Sequence, residues 1–282
     1  MAGASPTGTR RLAVLGSPIE HSLSPALHGA AARTLGLDWD YGRRRIERDG
    51  LADFVDGLDA SWLGLSVTAP LKEAAAARAD EVDRHAELTG AANTLLLGER
   101  VRGWNTDVGG IIRAFADAGL TSVTDVAIVG AGATALSSLV AFAQLGAEHV
   151  AVALRDRSRG ERLVALGEQL GLSVTLQGLD EALPAVDAAV STLPAAATVV
   201  PAFTHPPTRL LDADYAGPAG SRYAATVPRD RLVDGREMLL GQAVLQVRIF
   251  VLGDPAATLP QEAEVVAAMR GALAASGSLE ES

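Results

Sequence analysis

The 282-residue sequence predicts a two-domain α/β fold: an N-terminal, mainly parallel α/β domain and a Rossmann-type, doubly wound domain. Three observations carry this. Short apolar runs alternate with helical patterns through the first third of the chain, the pattern of a mainly parallel sheet. A second αβ series opens at Asp125–Val129, where a Gly130-Ala131-Gly132-Ala133-Thr134-Ala135 turn joins an apolar strand to a helix. A long helical pattern from Arg236 to Leu252 then recrosses to the first domain. Residues 1–105 and 236–282 are therefore assigned to the first domain, and 106–235 to the second.

In order, Arg11 to Leu15 reads as a strand, and the loop after it ends at Ser24-Pro25. Serine before proline marks an N-cap and a first helical residue, so a helix is expected from Pro25 to about Leu35, stopped by Gly36. Its exposed N–H groups suit a carboxylate, and Ser22 and Ser24 add hydroxyls. From these residues alone Ser24 reads as well as a plain cap, and Ser22 as an ordinary loop residue. Strands follow at Trp39 to Ile46 and Leu63 to Val67, with a helix at Leu51 to Leu58 between them. Ala92 to Leu97 and Arg100 to Trp104 pair around Gly98-Glu99. In the second domain, a helix ends at Ala118, another spans Leu136 to Leu145, and strands fall at His149 to Leu154, Val174 to Leu176, Ala188 to Ser191, Leu210 to Ala213 and Leu232 to Val233. A last helix lies near Gln261 to Ala275.

Bulk properties narrow the function. The hydrophobic content of 48% is ample for a core. With no cysteine there is no disulfide, thiolate metal site or cysteine nucleophile, which fits a reducing cytoplasm. The five histidines are scattered, so no metal is expected. No signal-peptide core or membrane span is apparent, and a net charge of -10 argues against a general nucleic-acid surface. An anionic substrate must then be met by local donors. Oligomeric state, monomer or homodimer, is not readable from the sequence.

The stretch from Gly64 to Gly110 holds polar residues in apolar company: Lys72 at a strand-to-helix turn, Asn93 after a small-residue run, then Asn105, and Asp107 opening a helix. Such turns form the ligand edge of α/β sheets. Singly, Lys72 is equally a surface lysine, Asn93 a turn residue and Asp107 an N-cap.

Together the segments SPIEHSLSPALH from Ser17, VTAPLK from Val67, GAANT from Gly90, NTDVGG from Asn105, GAGAT from Gly130 and GREMLLGQ from Gly235 resemble the shikimate dehydrogenases. The resemblance implies NADP-dependent, reversible reduction of 3-dehydroshikimate to shikimate. Lys72 and Asp107 would be catalytic, together transferring the proton. Ser22, Ser24 and Tyr215 would hold the substrate carboxylate, while Thr68, Asn93, Asp107 and Gln242 would read the ring hydroxyls. Ser66, where the family often has asparagine, and Gly29, where asparagine often follows the histidine, depart from the pattern. A quinate or aminoshikimate dehydrogenase of the same fold, or a non-catalytic binding relative, is the alternative.

The expected cofactor set is Gly130, Ala131, Gly132, Ala133 and Thr134 around the pyrophosphate, to which the resemblance adds Ser191, Ala213 and Gly235 further along. After the next strand stand Arg155, Arg157 and Arg159, whose guanidinium forks suit a 2'-phosphate and point to NADP. Asp156 keeps NAD as an alternative, since an acid directed at the ribose would favour the 2'-hydroxyl.

Overall fold

The computed structural model describes residues 8–214 and 220–277. These gather into two compact units. One holds the residues up to Ala86, Gly90–Trp104 and those from Ala243; the other holds Glu87–Thr89 and Asn105–Gln242.

The chain begins with β1 (Arg10–Gly16), α1 (Ser24–Leu35), β2 (Trp39–Arg45), α2 (Leu51–Asp56), β3 (Trp62–Val67), α3 (Lys72–Arg78), β4 (Glu81–Val82), α4 (Arg84–Thr89), β5 (Thr94–Leu96) and β6 (Arg102–Trp104). Their sheet runs β2-β1-β3-β5-β6-β4; β1 is parallel to β2 and β3, and β5 is antiparallel to β3 and β6. Successive strand residues face opposite sides. Ala13, Leu15, Leu65, Val67 and Leu95 accordingly join Leu51, Val55 and Ala75 in one core, while Leu12 packs with Trp104, Ile249 and Phe250 in another.

The second unit follows with α5 (Asp107–Asp117), β7 (Asp125–Val129), α6 (Ala133–Gln144), β8 (His149–Leu154), α7 (Glu161–Leu170), β9 (Ser173–Gly178), β10 (Ala188–Ser191), β11 (Arg209–Asp212) and β12 (Leu232–Asp234). Its sheet, β12-β11-β10-β7-β8-β9, is parallel throughout and doubly wound, with the direction of strand addition reversing between β7 and β10. Both faces are covered, which explains the unbroken apolar strands. Val126, Ile128, Val150 and Val152 enter one core with Leu139 and Phe142, and Ala127, Val129, Ala151 and Ala189 enter the other with Tyr223. Each such large aliphatic side chain contributes roughly 1.5–3 kcal/mol by leaving water.

The chain ends with α8 (Gly235–Leu252) and α9 (Glu262–Gly277). Val265, Met269 and Leu273 form a buried stripe on α9, which packs on α1. Among the described residues no helix is long and apolar enough to cross a membrane.

Two helix starts differ from expectation. Leu23, not Ser24, occupies the cap position of α1, and Ser24 is the first helical residue. The proline still fits one place further in, because amides throughout the first turn lack intrahelical acceptors. Asp107 opens α5 as expected; Asn105 Oδ1 accepts from the Asp107 amide at 3.1 Å, an Asx turn two residues upstream. α6 begins at Ala133, three residues before the expected start, and β4, α4 and α7 were not expected at all.

Candidate active site

In the first unit the candidate residues collect where β1 and β3 end. These strands are parallel, so the loops after both lie at one edge, and β5, antiparallel to β3, begins there too. Backbone bonds hold this edge together. The Thr68 amide donates to Leu15 O at 2.8 Å, the Ala92 amide to Lys72 O at 2.8 Å and the Val67 amide to Asn93 O at 2.7 Å. Thr68, Lys72 and Asn93 are thereby brought together, with Lys72 half-buried as the first residue of α3 and Asn93 buried.

The serine loop reaches the same edge. Ser22 Oγ accepts from the Ser24 amide at 3.4 Å, and the Arg43 guanidinium donates to Ser22 O at 3.0 and 2.5 Å. Buried His28 engages Ser24 O through Nδ1 at 2.9 Å and stacks on Tyr41, with ring centroids 4.2 Å apart. Burial pulls the imidazole pKa down to about 4, against the upward pull of its bond to Ser24, so the ring is neutral at physiological pH. Burial also raises the Tyr41 phenol, which hydrogen-bonds Ser66 and Ser24, so it stays protonated.

In the second unit Asp107 is buried at the start of α5, beside Asn105, whose Nδ2 donates to Thr89 Oγ1 at 2.9 Å and Ser137 Oγ at 3.0 Å. Thr106 Oγ1 lies 3.5 Å from Gln242 Oε1, and Gln242 Nε2 donates to Leu239 O at 2.9 Å. Asp107 and Gln242 therefore belong to one cluster, made by the packing of α5 against the first turns of α8.

The glycine-rich turn lies at the reversal point of the second sheet, where nucleotides are held outside the carboxyl ends of the strands. Gly130 has φ of 112°, and a Cβ there would fall 2.3 Å from Thr192 Oγ1. Ala131, Gly132, Ala133 and Thr134 form the turn and first residues of α6, with open space where a Gly132 side chain would be. Backbone amides at this N-terminus suit a pyrophosphate. Arg155, Arg157 and Arg159 are exposed just after β8. Asp156 accepts from the Ser158 amide at 3.0 Å and its hydroxyl at 2.7 Å, bonds that hold its carboxyl pKa below the usual range, hydroxyl foremost. Arg157 pairs with Glu181.

Ser191 is buried at the end of β10, and the Ala213 amide donates to Ser191 O at 2.9 Å; Gly235 opens α8. Beneath them lie buried Asp212, raised by desolvation, and Tyr223, pushed up to about 12 by burial. Tyr215 lies outside the described residues. Among those described there is no group of three or more histidine, aspartate or glutamate side chains able to hold a metal.

Sequence reading did not single out Tyr41, Thr94 or Gln246, although all three are hydrogen-bonded around Ser66 and Asn93. The available signal was spacing: Gln246 lies one helical turn beyond Gln242.

An α/β unit with a polar strand-end cluster and a Rossmann unit bearing a glycine-rich turn are the components of the class of two-domain α/β proteins with a dinucleotide-binding fold. The model of the shikimate dehydrogenase substrate binding domain matches residues 14–95. A shikimate dehydrogenase (NADP(+)) of Geobacter sulfurreducens is 40% identical over 161 residues, 56% of this chain and 56% of that protein's own length. A crystal structure of a shikimate 5-dehydrogenase from Mycobacterium fortuitum is 34% identical, covering 94% of this chain and 98% of that one, with a TM-score of 0.75. The Thermus thermophilus enzyme in complex with NADP(H) and shikimate is 29% identical over 94% of this chain and 100% of that one, at the same TM-score. The chain belongs to the shikimate dehydrogenase family.

Proposed function

We propose that this chain catalyses the reversible, NADP-dependent reduction of 3-dehydroshikimate to shikimate. The observation carrying the proposal is the backbone bonding that holds Lys72 and Asn93 at the strand edge where α1 opens with Ser24. A carboxylate at Ser22, Ser24 and the first turn of α1 meets hydroxyls and a helix N-terminus. Tyr215 is assigned there with them. Thr68, Asn93, Asp107 and Gln242 read ring hydroxyls, and such a dense polar set rejects analogues that leave its groups unpaired.

NADPH, when bound, supplies the hydride. As the substrate's carbonyl carbon is reduced its oxygen gains negative charge, and protonated Lys72 hydrogen-bonds that oxygen and gives it a proton. Asp107 is assigned the orienting of the ammonium and the balancing of its charge, so proton transfer is attributed to the two residues together. In the oxidative direction the pair takes the proton back.

The residues present suit the cofactor. The turn from Gly130 to Thr134 takes the pyrophosphate, and Ser191, Ala213 and Gly235 lie along the nicotinamide half. Asp156 is engaged with Ser158, and Arg155, Arg157 and Arg159 neighbour it in the chain, which supports a 2'-phosphate over a 2'-hydroxyl. A cytoplasmic location accompanies this assignment.

Initial rates on shikimate and on quinate, each with NADP and with NAD, test the proposal. Shikimate with NADP gives the highest kcat/KM; a preference for quinate, for NAD, or ligand binding without turnover contradicts it.

A further inference from the structure

Gln246 lies outside every role assigned so far, yet it sits at the centre of a buried set of hydrogen bonds within the first unit. Its residue exposure is 2%, beside Ser66 at 3%, Asn93 at 2% and Thr94 at 0%. Gln246 Nε2 lies 3.0 Å from Asn93 O, Nε2 also lies 3.1 Å from Thr94 Oγ1, and Oε1 lies 2.8 Å from Ser66 Oγ. Tyr41 OH is 2.6 Å from Ser66 Oγ, and Thr94 Oγ1 is 2.9 Å from Asn93 Oδ1.

The contacts of the Gln246 amide have only one consistent direction, and beyond them the Thr94 hydroxyl donates to Asn93 Oδ1. A backbone carbonyl can only accept, so the amide end facing Asn93 O must be Nε2 and the other end Oε1. Ser66 must then donate to Oε1, and its lone pair takes the Tyr41 proton. The second Nε2 hydrogen goes to Thr94 Oγ1. That occupies one lone pair of the Thr94 hydroxyl, whose own proton is directed at Asn93 Oδ1. The donor sequence therefore runs Tyr41 to Ser66 to Gln246 at one end of the amide, and Gln246 to Thr94 to Asn93 at the other.

We propose that Gln246 is a positioning residue which, through Thr94, sets the orientation of the Asn93 amide. With Oδ1 turned to Thr94, the Nδ2 end is directed away from it, so Asn93 meets its ligand as a hydrogen-bond donor. Such a donor selects a ring oxygen presenting a lone pair, a hydroxyl acting as acceptor. Tyr41 also bonds Ser24, so one chain of bonds couples the carboxylate end of the substrate site to its hydroxyl-reading end. The role rests on the substrate assigned above.

Thr94→Val keeps the shape and removes the hydroxyl; Thr94→Ser keeps the hydroxyl. The valine variant should raise the KM for shikimate about tenfold, equivalent to one lost buried hydrogen bond. Its KM for NADP should stay within about twofold, because the relay touches only the substrate side, and the serine variant should restore the shikimate KM to within about threefold of the parent. A shikimate KM unchanged by Thr94→Val, or a serine variant no better than valine, overturns the role. A purely structural contribution would lower Tm without this KM pattern. Should Thr94→Val fail to fold, Gln246→Glu, which retains an acceptor for Ser66 but offers Thr94 no donor, is expected to show the same KM rise, and its absence is equally fatal. If the parent protein does not oxidise shikimate, the substrate assignment fails on its own. The relay is then judged by the side-chain amide resonances of Asn93, which Thr94→Val shifts if the relay exists and leaves in place if it does not.

Discussion

Gly110 of α5 lies against Gln242 of α8 so closely that a Cβ at 110 would come within 2.9 Å of the Gln242 Cβ and amide nitrogen, and 2.8 Å from Met238 O. The obstructing atoms are mostly backbone, so they cannot rotate away. Gly110→Ala is expected to push the helices apart at a cost of about 1–3 kcal/mol. The same displacement moves Gln242 from Thr106, so a lower urea midpoint should be accompanied by a several-fold higher KM for shikimate. A variant with parental midpoint and KM would show that the close crossing has no role in placing Gln242.

His28 makes stability depend on pH. Its folded pKa is about 4, against an ordinary 6.5, because the ring is buried. Between these values the unfolded chain binds a proton that the folded ring refuses, so stability is fully present above about 6.5 and falls as the pH drops towards about 4. The total is on the order of 3 kcal/mol. Carboxylates also titrate in this range, so the informative quantity is the difference between the parent and His28→Gln in urea unfolding at a series of pH values. The parent should lose more stability on acidification; parallel curves would mean that His28 is not held neutral.

The three arginines after β8 are not equivalent. Arg157 pairs with Glu181, whereas Arg159 lies near the Asp156 carboxylate that caps the turn. Arg155→Ala and Arg159→Ala are each expected to raise the KM for NADP about tenfold, the loss of one charge-assisted phosphate contact, with the KM for NAD little changed. Arg157→Ala should have the smaller effect. Equal losses on NADP and NAD from Arg155→Ala would remove the 2'-phosphate from the account.

Most of the strands were legible because buried parallel strands are continuous apolar runs; the bounds of β7 and β8 coincide with the Asp125–Val129 and His149–Leu154 runs. The losses have particular causes. α4 is a six-residue helix between Asp83, whose side chain accepts from the Ala86 amide, and Gly90, and its two apolar residues, Ala86 and Leu88, do not recur at helical spacing. α7 was detectable: Leu163, Leu166 and Leu170 recur at helical spacing before Gly171. The cap of α1 was misplaced because serine suits both the cap and the first turn. Lys72 and Asn93 were identifiable as polar residues at small-residue turns, but the bond joining their segments, Ala92 amide to Lys72 O, is a tertiary fact. Gln246 was invisible because its importance comes from Ser66 and Thr94, distant in the chain and brought to it only by folding.

The role of Lys72 as the group that exchanges a proton with the substrate oxygen is tested most directly by turnover of Lys72→Ala with saturating shikimate and NADP, alongside NADPH affinity measured by fluorescence. Loss of a positioned acid–base group should lower kcat by about 10²–10⁴-fold while NADPH affinity stays within about twofold. Turnover close to the parental value, or a loss confined to NADPH binding, would contradict it.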